Sequence, residues 1–142
     1  MWCHTSRAAS TADTVQPGTS ASCLHRATTH PPNPPPVIRA PNTPGIKMFA
    51  IKLSDNEVIV LESRKVSRDS QISTDEEGIF AYHINADILS NLGTAKVIYR
   101  DNPPQSGWYP STLVQGNTAT FRNYTIEILD SDPTGDVVKV TI

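Results

Sequence analysis

The chain has 142 residues, 12 basic and 14 acidic, for a net charge of −2, and carries only 6% aromatic residues. This mildly acidic balance argues against a nucleic-acid partner, whose phosphates call for a basic face. No stretch reaches the roughly 20 consecutive apolar residues that a membrane-spanning helix needs, so no membrane span is expected.

Eight of the 12 prolines (Pro17, Pro31, Pro32, Pro34, Pro35, Pro36, Pro41 and Pro44) precede residue 46, among Ser, Thr and Ala and with hardly an apolar cluster. Such a segment buries too little surface to offset its ordering entropy. Residues 1–45 are therefore expected to form a disordered Pro/Ser/Thr-rich tail, with His30 to Pro36 extended as polyproline II. Residues 46–142 suit one small domain, and it is the acidic part of the chain, with 13 acidic against 9 basic residues. The opening MWCHTSRAAS lacks the continuous apolar run of a signal peptide. Both cysteines, Cys3 and Cys23, fall in the tail. With His4 and His25 they make a conceivable zinc set, but the spacing matches no finger or ribbon, and incidental thiols are the simpler reading.

Phe49, Ile51 and Leu53 alternate with polar or small residues, Ser54-Asp55-Asn56 supplies turn chemistry, and Val58 to Leu61 is a continuous apolar run. The pattern predicts two strands, the second buried on both sides. Gly78 opens a further strand over Ile79–Ile84, after a polar connection from Ser67 to Glu77 that is too long for a tight hairpin. A short helical turn is expected over Ala86–Leu92, ended by Gly93, and a strand over Ala95–Arg100; Asn102-Pro103-Pro104 then interrupts regular structure. Thr118–Leu129 alternates again, Asp130 to Asp136 reads as a turn, and a strand over Val137–Ile142 closes the chain. Short alternating strands separated by turns predict an all-β fold, a small antiparallel β-sandwich ending in a half-exposed hairpin.

The pattern IKLSDNEVIVLESRK, a spacer containing Asp69, and then GIFAYHIN resembles a region of the M6-like secreted zinc metallopeptidases, the immune inhibitor A group. There an apolar strand ends in Glu-x-Arg and a glycine-led strand follows. The closing LVQGNTATFRNYTIEILDSDPTGDVVKVTI is similar to the glycine-led turn and final hairpin of that C-terminal, non-catalytic region. Glu62, Arg64 and Gly78 carry most of the match. The chain contains no His-Glu-x-x-His, so the zinc site is absent and the peptidase activity does not transfer. The resemblance implies an extracellular accessory domain, a fragment of a larger protein, that supports a catalytic peptidase module or mediates adhesion.

Several residues remain to be placed. Glu62 and Arg64, two apart on a strand, point to one face and are read as a structural ion pair rather than as catalytic groups. His83 lies on the face opposite Tyr82 without a nucleophile elbow or reactive cysteine, and is read as a partly exposed strand histidine; a small hydrolase built around it is the enzymatic alternative. Asp130, Asp132 and Asp136 are spaced as in the first half of a calcium loop, but Thr141 stands where the closing glutamate belongs, and a plain turn explains the same residues. Calcium is thus the one cofactor these residues suggest. Asn123-Tyr124-Thr125 is an acceptor sequon for N-glycosylation. Trp108 and Tyr109 could stack against sugar, which makes a polysaccharide or an extracellular protein the alternative partner; covering one end of the sandwich is their simpler role.

Overall fold

The computed structural model describes residues 34–66, 76–103 and 111–142. Within them the chain forms β1 (Val37–Arg39), β2 (Met48–Lys52), β3 (Glu57–Arg64), β4 (Gly78–Asn85), a 3-10 turn at Ser90–Leu92, β5 (Ala95–Val97), β6 (Thr112–Leu113), β7 (Thr118–Phe121), β8 (Tyr124–Asp132) and β9 (Gly135–Thr141). They build two antiparallel sheets packed face to face, as the alternating pattern predicts. In the first, β2, β3 and β4 lie side by side, and β5 and β6 pair in succession with the far edge of β4; the second runs β1-β9-β8-β7.

Period-two alternation decides what fills the space between them. Phe49 and Ile51 of β2, Ile59 and Leu61 of β3, Ile79 and Ala81 of β4 and Leu113 of β6 point inward from the first sheet. Ile38, Ala119, Ile126, Ile128, Val138 and Val140 meet them from the second. Each fully buried Ile or Leu contributes roughly 1.5–3 kcal/mol of transfer free energy, so these interlocked rows dominate the stability. The central strand β3 buries Ile59, Val60 and Leu61 consecutively, because Ala50 and Tyr82 flank Val60 on the outer face.

Four expectations are corrected. First, the tail does not extend to residue 45: Val37–Arg39 pairs with Val137, Asp136 and Gly135 of β9, and Ile38 is completely buried. The four residues between Pro36 and Pro41 carry too little periodicity to read as a strand, and the partner of this strand lies at the other end of the chain. Second, Asp130 to Asp136 is not one turn. The strand β8 continues to Asp132, and the reversal narrows to Pro133-Thr134 between the paired Asp132 and Gly135. Third, the helical expectation over Ala86–Leu92 shrinks to the 3-10 turn, with Gly93 in the left-handed conformation at its end. Fourth, Thr118–Leu129 is two strands rather than one: Phe121 and Tyr124 pair across the two-residue turn Arg122-Asn123. There Arg122 takes a φ of 56°. Exposed Asn123 stands at the tip of this turn.

Two glycines are required by close approach. A Cβ on Gly78 would lie 2.4 Å from the Leu113 carbonyl oxygen, and its φ of +133° is one that side chains disfavour. A Cβ on Gly135 would stand equally close to the Ile38 carbonyl oxygen. The two positions let β6 and β1 dock against their sheets.

Candidate binding face and the buried polar clusters

The outer face of the first sheet carries a compact group of half-buried side chains on β3 and β4. Glu62 stands opposite Phe80, and Arg64 opposite Gly78. The missing side chain at Gly78 leaves Arg64 free to lean diagonally, and its guanidinium carbon lies 3.8 Å from the centre of the Phe80 ring, a cation–π geometry. The Tyr82 ring is next in line, 5.4 Å from Phe80 and inclined by 40°. The Tyr82 hydroxyl donates to Glu62 Oε1 at 2.6 Å. Burial first, then this bond and the carboxylate's charge, push the phenol up to about 12. The expected Glu62–Arg64 ion pair is therefore not formed. Each charge instead takes an aromatic partner diagonally across on the neighbouring strand, a separation that long and aromatic side chains span.

His83 also departs from expectation. It is 7% exposed on the inner face, its ring 4.7 Å from that of Phe121, and its Nε2 is 3.4 Å from Glu57 Oε1. Glu57 receives two hydrogen bonds from Arg122, at 2.9 and 2.7 Å, and a third from Asn85 Nδ2. The Arg122 hydrogen bonds hold its carboxyl below the usual glutamate range. This cluster joins the start of β3 to the β7–β8 turn on the opposite sheet. A buried His83, packed on Phe121 and with no hydrogen bond at Nε2, stands where a partly exposed strand histidine was expected.

A second polar cluster lies at the other end of β3. Continuing the inward parity of Ile59 and Leu61, Ser63 and then Lys65 point between the sheets, 4% and 5% exposed. From the second sheet Asp136 continues the inward row of Val138 and Val140, with no exposed surface. Lys65 Nζ donates to Asp136 Oδ1 at 2.8 Å and to Ser131 Oγ at 2.7 Å. Ser63 Oγ donates to Asp136 Oδ2, and Ser131 Oγ to Oδ1, each at 2.6 Å. Ser131 reaches this position through a bulge: the β8–β9 register slips between Ile128 and Asp130. One extra residue inverts the faces beyond it, so Asp130 turns outward and Ser131 inward.

The three aspartates considered for calcium are thus separated in role. Asp136 is engaged by Lys65 and the two serines. Asp132 Oδ1 instead accepts from the Thr134 amide and hydroxyl and the Gly135 amide, closing the hairpin turn. These bonds lower its carboxyl from the ordinary aspartate value. Asp130 Oδ1 accepts from the following Ser131 amide. Among the described residues no three His, Cys, Asp or Glu side chains gather as a metal site would require, and no helix is long and apolar enough to cross a membrane. Trp108, Tyr109, Asp69 and the set Cys3, His4, Cys23 and His25 lie outside the described residues.

Composition and motif reading missed Glu57, Lys65, Tyr82, Arg122 and Ser131 as partners. The signal that finds Lys65 and Asp136 is parity, since both continue inward-facing rows. No protein-family model, curated protein or solved structure matches the chain.

Proposed function

We propose that this chain is a non-catalytic β-sandwich accessory domain that engages a protein partner, a catalytic peptidase module in the reading its M6-like resemblance suggests, through the outer face of its first sheet. The observation that supports this reading is the group Arg64, Phe80, Tyr82 and Glu62. Aromatic and arginine side chains held in place by their neighbours are the residues that concentrate binding energy at protein interfaces. Their bonds to one another reduce the rotamer freedom lost on association. A polysaccharide is the second reading, through the same aromatics or through Trp108 and Tyr109. Rings inclined at 40° do not form one flat stacking surface, which favours the protein partner.

The test immobilises the full chain and measures binding of a purified M6-like catalytic module, alongside retention on insoluble cellulose and chitin. Saturable binding of the module, weakened at least tenfold by Phe80→Ala, is expected, a loss of about 1.4 kcal/mol or more. Retention on polysaccharide without module binding would replace this reading by the second.

A further inference from the structure

The geometry points to an intramolecular amide between Lys65 Nζ and Asp136 Cγ, formed by the fold itself and joining the two sheets covalently. An amine and a carboxyl group are held in contact at 2.8 Å, 5% and 0% exposed, and among the described residues no other cation or carboxylate pairs with either. Fixed juxtaposition of this kind replaces the collision of separate reactants and accounts for large effective molarities.

The two serines occupy the positions such a condensation requires. A proton passes from the Lys65 ammonium to Asp136 Oδ1 along their hydrogen bond, leaving a neutral amine and a neutral acid, which are less costly to keep from water than the charged pair. The Nζ lone pair then attacks Cγ, as a desolvated lysine amine does in covalent catalysis. Ser63 Oγ–H, already donating to Oδ2 at 2.6 Å, stabilises the negative charge that builds there, the role of an oxyanion donor. Ser131 Oγ touches both the amine, at 2.7 Å, and Oδ1, at 2.6 Å. It accepts one proton from Nζ and delivers its own to Oδ1. The Cγ–Oδ1 bond breaks, Oδ1 leaves as water with both protons, and Oδ2 becomes the amide carbonyl. Nothing is oxidised or reduced, and the product is the chain less one water molecule.

A buried ion pair explains the same contacts without a bond, and mass distinguishes the two. The full chain, purified folded and then denatured and reduced so that Cys3 and Cys23 do not contribute, is expected to weigh one water less than its sequence. Trypsin is expected to leave Lys65 uncut and to release a branched peptide that unites it with the Asp136 segment. Lys65→Arg keeps a cation against Asp136 but supplies no amine nucleophile, and should show the full mass. Ser131→Ala should convert more slowly than the parent chain. Full mass in folded parent protein overturns the proposal, as does a water deficit that persists in Lys65→Arg. Conversion of Ser131→Ala at the parent rate removes Ser131 from the reaction.

Discussion

Tyr82 has two measurable consequences at the level of a single side chain. Its phenol is raised from 10.0 to about 12, so the folded state holds the proton more tightly than the unfolded chain. The resulting stabilisation is complete below pH 10 and is lost as pH rises toward about 12. Tyr82→Phe should cost about 1 kcal/mol at neutral pH, the usual net worth of one hydrogen bond, and its stability should decline less steeply over the alkaline interval. Urea unfolding of both proteins from neutral to alkaline pH checks this; parallel curves would remove the Tyr82–Glu62 bond as the cause. Asp132 makes a similarly local case. Because its carboxylate closes the turn, Asp132→Ala should lower the melting temperature, with or without calcium. A calcium-dependent rise in the parent protein that the substitution abolishes would instead make the loop a metal site.

Among the elements, those with strong alternation were legible: β2, β3 and β4 lie where periodicity puts them, and the closing hairpin is there with a shorter turn. What escaped depends on information that no local window contains. Three-residue β1 is specified by the far end of the chain, and the reversal at Arg122-Asn123 uses a positive φ at a residue type that does not advertise it. The bulge after Ile128 is invisible to a strict two-residue period. Glu62 and Arg64 were correctly placed on one face, but their partners are chosen by cross-strand register, which a single strand does not reveal. The strand β1 also revises the domain boundary. A chain starting at residue 46 lacks Ile38 and uncovers the edge of β9, so it should unfold at lower urea than the full chain. Ile38→Ala should cost roughly 2–5 kcal/mol as a buried large-to-small change. Equal midpoints for the truncated and full chains would show that β1 contributes nothing. Gly78→Ala meets both a carbonyl at 2.4 Å and an unfavourable φ, and should cost about 1 kcal/mol or more.

Across the whole molecule, polar clasps hold both ends of β3 to the opposite sheet: Glu57 to Arg122 at its start, and Lys65 to Asp136 just beyond its end. They differ in exposure. The Arg122 side chain is half exposed, so its pairing is screened by salt, whereas the Lys65 cluster is sealed. With its folded-state carboxyl held below the ordinary glutamate range by Arg122, Glu57 contributes stability that is present above that range and lost as pH falls through the lower folded value. Arg122→Ala should therefore flatten the acid side of the stability profile, most clearly at low ionic strength; unchanged acid sensitivity in unfolding experiments would exclude the Glu57 clasp.

The pairing of β1 with β9 also sets an order in time. The first strand of the sandwich takes the last as its strand partner, Val37 with Val137, so during synthesis it leaves the ribosome long before that partner exists. The second sheet cannot be completed until β9 has been made, and Ile38 must wait in solvent until Gly135 to Val137 has emerged. Final closure of the sandwich thus waits on β9 and is slowed by the long-range contact it requires, and a nascent chain stalled before β9 exposes the apolar faces that the finished protein conceals.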